Sequence, residues 1–241
     1  MNRILFEQSE IKDGAAAVSG DRAAHIVNIL HSEVGDRLRT GEIDGLIGES
    51  EVTGIDGGMV RLKVHHTRES LKPWADLILA PPRPRVMKRL LPQLAALGVG
   101  RIVLVGAKKV EKDFWGATLL KEENFRPLLI EGLMQSGTSI MPEVLARKSF
   151  RRFLADELDA IFPDSRRIVA HPYECETPGD AKSPAKRRPL FAIGPESGWT
   201  DGEIALLLEK GFTPCTLGRR ILRTETAAIS LLARFMMEYE Q

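Results

Sequence analysis

The chain has 241 residues, 43% hydrophobic and 28% charged, with a formal net charge of +1. This excludes disordered, collagenous and coiled-coil classes, and at roughly 100–200 residues per domain the length suits one large domain or two smaller ones. No apolar run approaches the roughly 18 residues of a membrane span, and Cys175 and Cys215 lack a partner at metal-ligand or redox spacing. The start carries no apolar core of signal-peptide length. The expectation is a cytoplasmic protein with no membrane partner and no metal site.

Residues 1–70 read as mostly β. The alternating runs Arg37–Thr40, Leu46–Val52 and Met59–Val64 are separated by Asp44-Gly45 and Asp56-Gly57-Gly58. Asp-Gly between alternating runs signals hairpins, because glycine accepts positive φ without steric cost. One helix, about Asp21 to His31, interrupts the strands through the spacing of Ala24, Ile26, Val27 and Leu30. His65 and His66 are adjacent in a strand, so they point to opposite faces and cannot share a metal. A small β-barrel is predicted.

After Leu71-Lys-Pro-Trp74 the pattern changes. Leu77–Ala80, Arg101–Gly106, Ile168–His171, Leu190–Ile193 and Pro214–Leu217 read as buried strands. Helices are predicted over about Val86–Leu97, Leu119–Gln135 and Thr226–Tyr239. Near-continuous Val/Ile/Leu runs between helices imply a largely parallel sheet covered on both faces. The stretch Glu174–Pro189 reads as a surface loop.

Charge divides the same way. Residues 1–70 hold eight Lys/Arg against twelve Asp/Glu, a net of −4, and residues 71–241 carry a net of +5. Residues 77–110 contain seven basic side chains and no acid: Arg83, Arg85, Lys88, Arg89, Arg101, Lys108 and Lys109. Two further clusters lie at Arg147–Arg152 and Lys182–Pro189. Such patches suit a polyanion, since each neutralised phosphate releases counterions, although Lys and Arg also simply solvate a surface.

Two glycine-centred loops follow buried strands. The first is Phe191-Ala-Ile-Gly-Pro-Glu-Ser-Gly-Trp-Thr-Asp-Gly-Glu203, with Thr200 and Glu203 at capping-box spacing. The second is Cys215-Thr-Leu-Gly-Arg-Arg-Ile-Leu-Arg-Thr-Glu-Thr-Ala227. Neither has the spacing of a Walker or dinucleotide loop. Ligands of open α/β sheets sit beyond strand carboxyl ends, in loops of this kind.

Gly194-Pro-Glu-Ser-Gly-Trp199 with Glu203, followed by Leu217-Gly-Arg-Arg-Ile-Leu-Arg-Thr-Glu-Thr-Ala227, resembles the RsmE family, bacterial enzymes that methylate N3 of one uridine in small-subunit ribosomal RNA. The likeness covers nearly the whole chain. It implies a PUA-like RNA-binding barrel over residues 1–70 and a SPOUT α/β methyltransferase domain over 71–241, with a C-terminal trefoil knot. It also implies S-adenosylmethionine as cofactor, ribosomal RNA of the small subunit as partner, and a homodimer. The cofactor set is then Ile193, Gly194, Pro195, Glu196, Gly198, Leu217, Gly218, Ile221, Leu222, Thr226 and Ala227. Arg83, Arg85, Lys88 and Arg89 meet RNA.

Uridine N3 carries a proton and must lose it to become a nucleophile. Arg223 or Arg220 is placed to stabilise the developing anion, and Glu196 or Glu225 to accept the proton. The alternative is an Arg223–Glu225 ion pair that only holds the loop. Three departures stand out. Gln93-Leu-Ala-Ala-Leu-Gly-Val99 replaces the family's Lys-x-x-Glu-Leu-Gly-Val, Met134-Gln-Ser-Gly-Thr138 replaces Glu-Gln-Ser-x-Arg, and Ser197 stands where a second glycine is usual. They keep open two other readings, an RNA-binding member without turnover and a methyltransferase with another RNA target.

Overall fold

The computed structural model describes residues 3–171 and 187–239. Cys175, most of the predicted 174–189 loop and the first part of the Lys182–Pro189 cluster lie outside the described residues. The chain separates into two compact units, Met1–Lys72 with Ile130–Met141, and Pro73–Leu129 with Pro142–Gln241.

The first unit contains β1 (Ile4–Phe6), β2 (Ile11–Lys12), β3 (Ala15–Val18), α1 (Gly20–Asn28), β4 (Arg37–Glu42), β5 (Ile47–Asp56) and β6 (Met59–Arg68). They form a six-stranded sheet in the order β1-β4-β5-β6-β3-β2, antiparallel except for the β1–β4 pair. Asp56 pairs with Met59 across Gly57-Gly58, whose φ values of +56° and +76° make the mirror-image turn that matches strand twist. Ile4, Phe6, Val18, Ile26, Val52 and Leu62 fill its core. His65 is exposed while His66 turns inward to Thr40 Oγ1 at 2.8 Å, as strand alternation requires.

The second unit contains β7 (Ala75–Leu79), α2 (Pro84–Ala96), β8 (Val99–Val105), α3 (Glu122–Ser136), β9 (Glu143–Arg147), α4 (Phe150–Asp156), α5 (Leu158–Ile161), β10 (Arg166–Ala170), β11 (Pro189–Ile193), α6 (Asp201–Glu209), β12 (Thr213–Cys215) and α7 (Thr224–Tyr239). The last turns of α3 count with the first unit. All six strands run parallel, in the order β12-β10-β11-β7-β8-β9.

Every residue of β7 and β11 is buried, which is why these strands are near-continuously apolar rather than alternating, with Asp76 the one charge in them. Phe150, Phe153, Leu158, Trp199 and Leu207 cover one face of the sheet through Ile78, Val103, Val169 and Ala192. On the other, α7 stacks Phe235 edge-on against Phe191 at 5.2 Å. Helix α2 buries Met87, Leu90, Leu91, Leu94 and Ala95 at helical spacing, and Gly98 at φ +76° ends the turn that follows it.

Strand β9 and helix α4 were not predicted. The strand is an edge of the sheet, with charges at both ends and none of its five residues fully buried, so it lacks the buried-strand signature. Helix α7 begins at Thr224 rather than Thr226, and β12 stops at Cys215, short of the expected Leu217.

Candidate active site at the carboxyl edge of the parallel sheet

Because the sheet is wholly parallel, the loops after β7, β8, β11 and β12 all leave the same edge. Strands β7 to β9 progress towards one side of the sheet, while β10, β11 and β12 occupy the other, so the order reverses between β7 and β11. A crevice at such a switch point is where open α/β sheets hold ligands.

The first glycine loop starts where Ile193, fully packed, accepts a hydrogen bond at its carbonyl from Ala80 N–H at 2.9 Å. Gly194 lies against Trp199, and a Cβ there would meet the indole at 3.1 Å. Pro195 is buried and its carbonyl accepts from Gly198 N–H at 2.8 Å, closing a tight turn with Glu196 and Ser197 exposed at its tip. Gly198 has φ +73°. Lys109 Nζ donates to Ser197 O at 2.8 Å.

Glu203 locks the exit of this loop. Its side chain, only 8% exposed, accepts from Thr200 N–H and Thr200 Oγ1, each at 2.9 Å, and from Lys108 N–H at 2.7 Å. The predicted capping box is therefore present, and the same carboxylate also ties the loop after β8 to the loop after β11.

The second loop is more open. Thr216 Oγ1 accepts from Gly218 N–H at 3.1 Å and donates to Gly218 O at 3.0 Å, and Gly218 has φ +111°. Leu217 and Leu222 are half-buried, whereas Arg220 and Arg223 are exposed and Ile221 is 77% exposed. Arg223 O accepts from Ala227 N–H at 2.8 Å as α7 begins, so Thr226 and Ala227 lie in its first turn.

Thr224 Oγ1 donates to Gly194 O at 3.1 Å, which brings the two glycine loops together. Among the described residues, no ion pair joins Arg223 to Glu225. Glu225 Oε2 is instead buried without a hydrogen-bond partner, as is Trp199 Nε1. Neither orphan was foreseen, since sequence spacing does not report which polar atoms find partners.

The predicted basic set lies at the start of α2. Arg83 is its N-cap, and Arg83, Arg85, Lys88 and Arg89 are all exposed. Arg83 Nε donates to Glu111 Oε1 at 2.9 Å, and this bond, with Glu196 nearby, stabilises the charged guanidinium. Glu111 was not singled out in the sequence, because its partner is 28 residues away.

Parallel topology, coverage on both faces and two glycine loops joined at one edge define an α/β domain built to hold a ligand there. Residues 69–236 match the model of the RNA methyltransferase domain. The chain is 32% identical to the ribosomal RNA small subunit methyltransferase E of Treponema pallidum over 97% of its own length and 90% of that protein's. It is 26% identical to a ribosomal RNA small subunit methyltransferase E 1 of Borreliella burgdorferi, over 95% of each chain. A ribosomal RNA small subunit methyltransferase E of Neisseria gonorrhoeae, solved bound to S-adenosyl methionine, shares the fold at TM-score 0.77 and 23% identity, covering 99% of this chain and 98% of that one. The chain belongs to the RNA methyltransferase family, and within it to the RsmE group.

Proposed function

We propose that the protein transfers the methyl group of S-adenosylmethionine to N3 of a uridine in small-subunit ribosomal RNA. The observation that carries this reading is the Thr224–Gly194 bond, which holds the two family loops at one edge of the sheet. Membership of the RsmE group supports the substrate. In the same reading the six-stranded sheet is a PUA-like barrel that helps grip RNA, and the second unit is a SPOUT domain with a C-terminal trefoil knot. A second copy of the chain completes the enzyme, consistent with Ile221 and Met237 at 77% and 74% exposure.

The residues fit the cofactor. S-adenosylmethionine is cationic and rich in donors, so a buried carboxylate oxygen without a partner, Glu225 Oε2, suits it. The tight turns at Gly194–Gly198 and Leu217–Gly218 offer backbone amides and carbonyls, and Ile221 and Leu222 offer apolar cover. When bound, the cofactor supplies an electrophilic methyl group.

The chain's own residues supply orientation and charge. Arg220 and Arg223, on the loop between Gly218 and α7, are placed to stabilise the uracil anion left by loss of the N3 proton, and act from fixed positions once RNA is bound. Arg83, Arg85, Lys88 and Arg89 form a cationic face for phosphates. No acid lies in the first turn of α2, and among the described residues only Arg83 of this face pairs with an acid, Glu111.

The test is calorimetric titration with S-adenosylmethionine, followed by methyl transfer to small ribosomal subunits that lack the modification. The wild-type chain binds the cofactor and modifies N3, while Gly218→Trp, which puts a side chain at φ +111°, binds it at least tenfold more weakly. A folded wild-type protein that neither binds the cofactor nor transfers methyl groups defeats the proposal.

A further inference from the structure

The tip of the first glycine loop borders a groove that the second loop's residues do not line. It opens between the loops after β7, β8 and β11, three neighbouring strands, and has a volume of about 180 Å3. That is below the roughly 300–1,000 Å3 of cavities that hold larger ligands, so a nucleoside cofactor does not fit, whereas one flat ring does. Its floor is apolar and buried: Pro81, Pro82, Pro195 and Phe114. Its rim is charged and exposed, with Arg83, Lys109, Glu111 and Glu196.

Two cations and two carboxylates above an apolar floor, one of the carboxylates paired with Arg83, provide what the edge of a uracil ring needs. That edge presents O2 and O4, two acceptors, on either side of the N3–H donor. We infer that this groove receives the target uracil, swung out of the RNA, with Arg83 and Lys109 reaching its carbonyl oxygens and Glu196 accepting the N3 proton. Enzymes that act on a base take it out of the stack into such a pocket. The inference rests on the methyltransferase reading above and adds the place and the proton acceptor.

Glu196 is chosen over Glu111 on geometry. Glu111 is engaged by Arg83 at 2.9 Å. Glu196 sits exposed at the tip of the Pro195–Gly198 turn and lines the groove, in the same loop whose backbone is proposed to hold the cofactor. Lys109 fixes that tip through Ser197 O at 2.8 Å. The N3–H bond breaks, its proton passes to Glu196, and the electron pair stays on nitrogen, where it forms the new bond to the methyl carbon. The sulfonium keeps the electrons of the broken C–S bond, and Glu196 returns its proton to solvent.

The test uses three readouts on the full chain. Small ribosomal subunits carrying 4-thiouridine, from cells lacking the modification, are crosslinked to the protein without cofactor, and the peptides are mapped. Crosslinks to the Pro81–Arg83 or Lys109–Glu111 segments are expected, and are lost in the Arg83→Met/Lys109→Met double variant. Glu196→Gln is expected to lose at least about 100-fold in single-turnover transfer at saturating S-adenosylmethionine, as removal of a general base does. Glu196→Asp restores part of the rate, which a merely structural role for the side chain would not predict. Transfer by Glu196→Gln at the wild-type rate, or crosslinks only outside the groove, would overturn the inference. A wild-type chain that neither binds S-adenosylmethionine nor transfers methyl groups overturns the underlying reading and this one with it.

Discussion

Thr224 reaches across 30 residues of sequence to donate its hydroxyl to Gly194 O at 3.1 Å. The bond fastens the first turn of α7 to the carboxyl end of β11. It also occupies a carbonyl that would otherwise lack a donor at the edge of the sheet. Thr224→Val keeps the shape and removes the hydroxyl. A buried hydrogen bond is worth about 1 kcal/mol net, so we expect a stability loss near that value. Affinity for S-adenosylmethionine should fall about fivefold, because the two loops lose their register. Calorimetry on the variant checks this, and unchanged affinity would show that the loops are held by other contacts.

The carboxyl edge imposes a second constraint at Gly106, the residue after β8. A Cβ there would meet the Lys148 carbonyl oxygen at 2.0 Å, and that atom is backbone, so it cannot swing aside. The Gly106 N–H also donates to Arg147 O at 2.9 Å, which extends the β8–β9 pairing past the strand ends. Gly106→Ala is expected to destabilise the fold by about 3 kcal/mol, at the upper end of ordinary overpacking. Denaturant unfolding measures it. A loss under 1 kcal/mol would mean that β9, an edge strand, shifts freely.

The central strands were legible in the sequence because their burial on both faces favours unbroken apolar runs, Leu77-Ile-Leu and Leu190-Phe-Ala-Ile, with only Asp76 charged at the start of β7. The Gly57-Gly58 turn was equally plain, since two adjacent positive φ values demand glycine. The glycine loops were visible as punctuation and became specific only through family resemblance. What spacing cannot give is pairing at a distance. Glu203 looked like a helix cap and proves also to hold Lys108 N–H, 95 residues away in sequence. The Arg83–Glu111 pair and the groove it borders likewise arise from the strand order, which places the loops after β7, β8 and β11 side by side. The Arg223–Glu225 pair was a fair expectation from proximity in sequence. The structure instead leaves Glu225 Oε2 buried and unpartnered.

In the first unit His66 sets a pH dependence. Its ring accepts or donates to Thr40 Oγ1 at 2.8 Å, and burial, followed by the charges of Arg3 and His65, holds its pKa below the ordinary value. The unfolded chain therefore binds a proton more readily than the folded one as the pH drops below about 6.5. Stability is present above that pH and is lost on acidification through it. Glu10, whose pKa is lowered chiefly by its bond to Arg22, loses its contribution only below the ordinary carboxylate range, so the two effects separate. A fall in melting temperature between pH 7 and 5.5 that His66→Gln abolishes is the expected result. An identical fall in the variant would assign it to another group.

Asp76 lies in β7, 7% exposed, and its carboxylate accepts from Arg188 Nη2 at 2.6 Å. Burial raises its pKa, and the positive charges of Arg188 and Arg101 pull it partly back. Gly100 makes the approach possible, because a Cβ there would fall 2.0 Å from Arg188 Nη2. Removing the cation leaves the buried carboxylate to bear its desolvation with less compensation, so Arg188→Met should push the Asp76 pKa further up. A raised carboxylate stabilises the fold below its unfolded pKa and forfeits that stability as pH rises through the folded value. The penalty of Arg188→Met must therefore grow from pH 4 to pH 7. We expect about 1–3 kcal/mol at neutral pH, below the figure for a fully buried pair because the Arg188 side chain is 41% exposed. Asp76→Asn in the Arg188→Met background should recover much of the loss, since an amide carries no charge to strand. Denaturant unfolding at both pH values decides the matter: a penalty independent of pH, or a double variant no more stable than Arg188→Met alone, would show that Arg188 acts through its packing on Ala75 O and Gly100 rather than through the charge of Asp76.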